Sequence, residues 1–157
     1  MSARLLLVLL CGALAACSSF DTKWRGAENG ATRWDGRWTS EKHHALGGAL
    51  ESGRLRCVLT EKTVAACLFT VPRGLPPAAA HILHADFHAN WLIFASNFTM
   101  TLAPEKNSLT DFRGTHDLPA IFGGTYRYTV HISGDLLTAR YDSSYDRGTF
   151  DLTRVRP

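Results

Sequence analysis

The 157-residue sequence has little net charge, few cysteines and no apolar run long enough to cross a bilayer as a helix. Seventeen basic and fourteen acidic residues give a formal net charge of +3, with no basic cluster. This charge argues against a dedicated nucleic-acid binder. The first apolar stretch, Leu5 to Leu14, spans only ten residues, whereas a membrane-spanning helix needs about 20.

The common catalytic motifs are also missing. The sequence contains no G-x-S-x-G nucleophile elbow, no H-E-x-x-H, no C-x-x-C, and no phosphate-binding or dinucleotide-binding loop. The acids Asp135, Asp142, Asp146 and Asp151 lie near predicted hairpin turns, where aspartate is structurally favoured. We therefore expect no enzymatic activity and no cofactor.

The N-terminus has the composition of an export signal. One basic residue, Arg4, precedes the short apolar stretch, and small residues follow it. Leu14-Ala15-Ala16-Cys17 resembles the bacterial lipobox. The resemblance implies that residues 1–16 are a signal peptide and that Cys17 is acylated, which would anchor the chain in a lipid bilayer. Ser18 in place of aspartate implies the outer membrane, by the rule for enterobacterial lipoproteins.

The mature chain divides into two parts. Residues 17–33 are polar and lack periodicity, which predicts a lipidated N-terminus followed by a flexible tether. Trp24 either docks back on the domain or has no partner. Residues 34–157 form the predicted domain.

Apolar residues in that domain recur with period two, interrupted by turn residues. The pattern predicts an all-β domain of eight or nine strands in one antiparallel meander, either a barrel or a sandwich. A barrel is favoured because closure removes exposed edges. The predicted inward rows are Trp34, Gly36, Trp38, Ser40; Leu55, Cys57, Leu59; Ala65, Cys67, Phe69, Val71; Phe98, Met100, Leu102; Phe112, Gly114, His116, Leu118; Tyr126, Tyr128, Val130, Ile132; Leu137, Ala139, Tyr141; and Phe150, Leu152, Arg154.

Two cysteines remain once Cys11 leaves with the signal and Cys17 is acylated. If Glu61-Lys62-Thr63 is a three-residue hairpin loop, Cys57 lies opposite Cys67 at bridging distance. The oxidising environment of an exported protein permits this disulfide. The alternative is a pair of reduced core cysteines.

The first strand contains Gly36-Arg37-Trp38, a G-x-W that resembles the calycin group of small barrels, the lipocalins and avidins. This resemblance implies an eight-stranded calycin-like barrel in which Trp38 closes the floor and Arg154 of the last strand packs across it. Residues 39–44 do not match the ligand groups of avidins, so no biotin site is implied.

A second likeness is to small bacterial lipoproteins with the pattern L-R-C, F-x-G, G-x-Y and D-x-G-x-F, and it implies no activity. The matching residues are Leu55-Arg56-Cys57, Phe112-Arg113-Gly114, Gly124-Thr125-Tyr126 and Asp146-Arg147-Gly148-Thr149-Phe150.

HILHADFHANW, His81 to Trp91, concentrates three histidines and an aspartate. As a strand, it places His84, Asp86 and His88 on one side and Phe87 on the other. We expect a solvated polar face. The alternatives are a metal site at His84, Asp86 and His88 or the lining of a ligand cavity.

Together these features predict a membrane-anchored lipoprotein whose barrel binds a small apolar ligand. Tyr126 and Tyr128 are candidate ligand-lining residues, although such a pair is more often found in the core or at the rim of a barrel. The alternative function is a structural or interaction lipoprotein of the cell envelope, with a filled barrel and no ligand.

Overall fold

A computed structural model describes residues 19–27, 30–44, 48–63, 81–91, 94–105, 108–120 and 123–156. These residues form one short helix, α1, at 19–25 and eight strands. The strands are β1 (Ala31–His44), β2 (Leu50–Thr63), β3 (His81–Trp91), β4 (Phe94–Pro104), β5 (Asp111–Asp117), β6 (Thr125–Ser133), β7 (Leu136–Asp142) and β8 (Arg147–Val155).

Each strand pairs antiparallel with the next, and β1 pairs with β8 to close the barrel. The predicted all-β meander barrel is confirmed. Most of the predicted inward side chains on the described strands form the buried core, which confirms the predicted parity, and burial alternates most regularly on β7. Leu118, also predicted to face inward, lies beyond the end of β5 and is 38% exposed. Buried residues from every strand form one core. Residues 65–71, predicted as another strand, lie outside the described residues.

The two ends of the barrel differ, and we name them by their connections. The mouth end holds the start of β1, the end of β8, and the β2–β3, β4–β5 and β6–β7 connections. The closed end holds the β1–β2, β3–β4, β5–β6 and β7–β8 connections.

Aromatic rings fill the middle of the barrel. Phe87 stacks on Phe98 with ring centroids 4.9 Å apart, and Tyr141 packs against Phe150 at 5.2 Å. Such pairs each add about 0.5–1.5 kcal/mol beyond the area that they bury. Burial raises the pKa of Tyr128 and Tyr141 well above the ordinary tyrosine value, so both phenols are neutral at physiological pH.

The hairpin loop predicted at residues 61–63 is wrong. Strand β2 continues through these residues, with Glu61 opposite Leu83 on β3. Cys57 therefore lies between Trp34 on β1 and Phe87 on β3. It is buried and free rather than bridged, and Cys67 lies outside the described residues. Residues 61–63 are polar but continue the strand. The turn was predicted from their polarity alone, and that prediction was therefore wrong.

The flexible tether predicted for residues 17–33 is wrong over much of its described part. Helix α1 packs on the outer wall, with Phe20 only 3% exposed, and β1 begins at Ala31. Trp24 docks back, since the guanidinium of Arg56 lies 5.4 Å from the centre of its ring.

Helix α1 also covers the polar row of β3. The row faces outward, as the alternation predicts, but Asp86 and His88 are buried rather than solvated. The ring of Phe20 stacks on His88 at 5.1 Å, and Lys23 Nζ donates to Asp86 Oδ1 at 2.6 Å.

We expect Lys23→Met to destabilise the fold by about 1–2 kcal/mol near neutral pH, because Asp86 would lose a charged donor. Burial alone would raise the pKa of Asp86, but hydrogen bonds from Lys23 and Thr99 offset it and hold this pKa below the ordinary value. A carboxyl group with a lowered folded-state pKa stabilises the fold above its unfolded-state pKa of about 4. That contribution is lost as the pH falls through the folded-state pKa.

Urea unfolding at pH 7 and near pH 3 measures this difference. The matched control is Arg25→Met on the same helix, because Arg25 makes no ion pair among the described residues. A Lys23→Met effect no larger than that of Arg25→Met, or one that grows in acid, would show that the ion pair does not hold α1.

Candidate functional site

A cavity of about 300 Å³ opens at the mouth end. Five apolar side chains from β1, β2, β3, β5 and β6 line its wall, and polar groups lie around its rim. The wall residues are Trp34, Leu59, Leu83, Phe112 and Ile132, and the rim residues include Thr32, Glu61, Ser108 and Arg154. A larger depression of about 570 Å³ lies beside Ala27, Ala31 and Val155, but it contains none of the apolar wall residues of the barrel interior.

Arg154 pairs with Trp34, so the predicted Trp38–Arg154 floor pair is wrong. Trp34 lies opposite Arg154 in the β1–β8 register, and Trp38 lies opposite Phe150. The Arg154 guanidinium is 5.0 Å from the centre of the Trp34 ring, a cation–π contact worth about 0.5–2 kcal/mol. Trp38 instead donates its indole N–H to the Asn90 carbonyl oxygen at 3.1 Å.

The Trp34–Arg154 pair gives the cavity an aromatic side and a cationic rim. The Trp34 side chain is fixed, since it is 1% exposed and its indole N–H donates to Thr32 Oγ1 at 2.8 Å. Arg154 is half-exposed and lies 3.9 Å from Asp135, a carboxylate that Arg156 also contacts. The cavity therefore offers an apolar wall to a ligand and a charged group at its entrance.

The β4–β5 lip of the mouth is held by a local network centred on Asp111. Ser108 Oγ donates to Asp111 Oδ2 at 2.6 Å, and His131 Nδ1 lies 2.7 Å from Oδ1. Hydrogen bonds from Ser108 and from His131 hold the pKa of Asp111 below its ordinary value. Leu109 is 88% exposed at the tip of this lip.

Tyr126 and Tyr128 do not line the mouth cavity. Tyr128 is buried in the core and packs against Phe150 at 5.8 Å. Tyr126 is partly buried nearer the closed end, with its ring 6.0 Å from that of Tyr141. The structure therefore supports the core interpretation of this pair.

A cluster of hydrogen bonds around Asp146, here called the knot, links β1 to the β7–β8 connection at the closed end. Asp146 accepts hydrogen bonds from Ser40 Oγ at 2.7 Å and from Tyr141 Oη at 2.9 Å. Ser40 is fully buried, and its oxygen accepts the backbone N–H of Lys42 and of His43. This explains the aspartate of the D-x-G-x-F pattern as the group that fastens β1 to the β7–β8 connection.

Serine, histidine and aspartate meet in this knot without the geometry of a catalytic triad. The Ser40 hydroxyl donates to the carboxylate rather than to the imidazole, and it is inaccessible to substrate. His43 Nε2 lies 3.9 Å from Asp146 Oδ1 and has no hydrogen-bond partner among the described residues, while its ring stacks on Tyr145. The arrangement fixes the end of the barrel and offers no activated nucleophile.

The polar row of β3 does not assemble a metal site. His84 Nε2 lies 3.9 Å from Asp86 Oδ2, and His88 Nδ1 is engaged by Asn97 Oδ1 at 2.5 Å. Within the described ranges, no three metal-ligating side chains converge. Burial lowers the pKa of His84, so its imidazole stays neutral at physiological pH.

Comparison with known proteins gives no relative for this barrel. No protein-family model matches the chain, and no curated protein or solved structure matches it significantly. No helix within the part of the chain that the structure describes has the length and hydropathy needed to cross a membrane. The eight-stranded antiparallel meander is consistent with a calycin-like fold.

Sequence reasoning missed the cavity wall and the knot at Asp146. Leu59, Phe112 and Ile132 belong to inward rows that the period-two pattern identifies. The pattern does not show which inward positions lie on the mouth side of the aromatic rings that fill the middle of the barrel. The signal for the knot was present in Ser40, a polar residue within an inward row. A buried hydroxyl requires a partner, and Asp146 is that partner.

Proposed function

We propose that the chain is an exported lipoprotein, anchored through Cys17 in the cell envelope, whose calycin-like barrel binds a small ligand with an apolar body at the mouth end. The observation that carries the proposal is the cavity beneath Trp34 and Arg154, with its apolar wall and polar rim. Its volume of about 300 Å³ lies at the lower limit of small-molecule sites, so the ligand is small. No catalytic role is proposed.

Ile132→Phe is expected to weaken ligand binding at least about tenfold, because the larger ring fills the cavity and removes about 1.4 kcal/mol or more of binding free energy. Ile132 lines the cavity and is only partly buried, so the barrel can accommodate the change. Fluorescence titration with the apolar dye N-phenyl-1-naphthylamine measures the affinity. The matched control is Thr129→Phe, since Thr129 lies on the same strand but faces outward.

Two outcomes of this titration contradict the cavity as the site. One is equal dye affinity for the wild type, Ile132→Phe and Thr129→Phe. The other is the absence of saturable binding to the wild-type protein. Far-ultraviolet circular dichroism of both variants verifies that the barrel is folded.

The anchor is tested separately. We expect Cys17→Ser to move the protein from the membrane fraction to the soluble periplasmic fraction and to abolish labelled-palmitate incorporation, because acyl chains require the cysteine sulfur and the processed N-terminus. Ser18→Ala is the control and should remain in the membrane fraction. Palmitate labelling that persists in Cys17→Ser would reject the anchor site without bearing on the cavity.

The second candidate is a structural or interaction lipoprotein with a filled barrel. The aromatic core formed by Phe87, Phe98, Tyr128, Tyr141 and Phe150 favours it, because these rings occupy the middle of the barrel and confine the cavity to one end. If this function is correct, the dye titration shows no saturable binding to the wild-type protein.

A further inference from the structure

The connections at the closed end contain one charged residue, Asp146, whose side chain is only 13% exposed. In the sequence they are ALGGA at 45–49, LI at 92–93, LPAIFGG at 118–124 and SSYD at 143–146. Hairpin connections in soluble proteins are usually rich in polar turn residues. At the mouth end, by contrast, the β4–β5 connection reads EKNSLT at 105–110 and the β6–β7 turn contains Asp135.

Large apolar side chains are exposed at the closed end among the described residues. Leu50 is 45% exposed at the start of β2, Leu118 is 38% exposed after β5, and Tyr145 is 54% exposed between β7 and β8. Single exposed apolar residues are ordinary. Three at one end of a barrel, in or next to connections whose only charged side chain is mostly buried, indicate a contact surface.

Helix α1 brings the start of the described chain to the same half of the barrel. Phe20 packs on His88, whereas Trp24, further along the helix, lies 6.0 Å from the guanidinium of Arg33 near the start of β1. The helix therefore runs from the closed-end half toward the mouth end.

The distance from the start of α1 to the closed end is short. His88 pairs with Asn97 on β4, and Asn97 is three residues from Phe94, where β4 begins at the closed end, which is about 10 Å along a strand. Cys17 precedes Ser19 by two residues, and two residues span at most about 7 Å. An acyl anchor on Cys17 can therefore reach the closed end.

We propose that the closed end, represented by Leu50, Leu118 and Tyr145, is the surface that rests on the lipid bilayer. This rests on the proposed acylation of Cys17. The closed-end connections enter the headgroup region, where apolar side chains are buried by about 5–10 Å, and the mouth cavity points away from the bilayer. The barrel then receives its ligand from the aqueous side.

The mouth end provides the matched comparison. Leu109 is 88% exposed and Leu136 is 58% exposed there, so exposure alone does not select the closed end. The connections differ in exposed charge. Glu105 and Asp135 lie within the mouth-end connections and pair with Arg113 and Arg156, and desolvating such pairs costs free energy. At the closed end, the ion pairs of Glu41 with Arg140 and Arg147 lie on strands rather than in the connections.

The test uses full-length lipoprotein in vesicles of phosphatidylethanolamine and phosphatidylglycerol. Cysteine replaces Leu118 or Leu109 in a Cys67→Ser background and is labelled with bimane, while Cys57 is buried in the core. Lipids brominated along their acyl chains quench bimane on contact. We expect the Leu118→Cys label to lose most of its emission and the Leu109→Cys label to lose almost none. Leu50→Cys and Leu136→Cys repeat the comparison.

Quenching confined to Leu109 and Leu136 would place the mouth on the bilayer and overturn the proposal. Equal quenching at both ends, or quenching at neither end, in protein that floats with the vesicles would also overturn it. Failure of the anchor is recognised independently, because the protein would then neither incorporate palmitate nor float with the vesicles.

Discussion

Gly148→Ala is expected to cost the barrel about 3 kcal/mol of unfolding free energy, at the upper end of overpacking effects, or to prevent folding. A Cβ atom at this position would lie 2.0 Å from the Thr39 carbonyl oxygen and 2.6 Å from Tyr141 Oη. The first contact is with backbone of the neighbouring strand, so relief requires separating β1 from β8. Urea unfolding followed by near-ultraviolet circular dichroism measures the loss.

Gly114→Ala is the matched control, since Gly114 is also an inward glycine on a strand. Its added Cβ would meet Leu102 Cδ2 at 2.7 Å and Met100 Sδ at 3.2 Å, the far ends of side chains that can rotate. Its one close backbone contact, with the Thr101 carbonyl oxygen at 3.1 Å, is much less severe than the backbone contact at Gly148. We expect a cost below about 1.5 kcal/mol. If Gly148→Ala were no more costly than Gly114→Ala, the close approach of β8 to Thr39 and Tyr141 would be wrong.

Trp34→Ala is expected to destabilise the protein by about 3–5 kcal/mol, as truncation of a buried tryptophan does. The change removes a side chain that is 1% exposed, its hydrogen bond to Thr32 and the ring beneath Arg154. It also enlarges the cavity, so an apolar dye should bind to the folded variant with a changed affinity. Thermal and urea unfolding give the stability difference.

Trp38→Ala discriminates between the two tryptophans. Trp38 faces the same interior but is only partly buried, and it makes one hydrogen bond, to Asn90. We expect its truncation to cost less than that of Trp34 and to leave the effect of Arg154→Ala unchanged. A larger loss of unfolding free energy for Trp38→Ala than for Trp34→Ala would support the Trp38–Arg154 floor pair predicted from G-x-W. Energetic coupling of Trp38 and Arg154 in a double-mutant cycle would support it as well.

The fold was predictable because period-two alternation records which side chains face the core. It placed Leu55, Cys57 and Leu59 inward, and all three are buried. Alternation does not record register, which depends on connection lengths. The predicted turn at residues 61–63 therefore failed, and with it the Cys57–Cys67 bridge.

The partner of Arg154 was ambiguous for the same reason. Trp34 and Trp38 share one face of β1, and only the β1–β8 pairing shows which ring lies opposite the guanidinium. Helix α1 was missed because a seven-residue helix with one buried aromatic has no apolar stripe. Its stability comes from Phe20, Lys23 and Trp24 meeting β2 and β3, contacts that only the tertiary structure provides.

Native mass spectrometry of the full-length protein, purified from the cells that express it, tests the proposed ligand binding most directly. We expect the wild-type protein to carry a small molecule that is released on unfolding, Ile132→Phe to carry none, and Thr129→Phe to keep it. A wild-type protein that is folded, acylated at Cys17 and free of any bound molecule would contradict the proposed ligand binding. So would a bound molecule retained in full by Ile132→Phe.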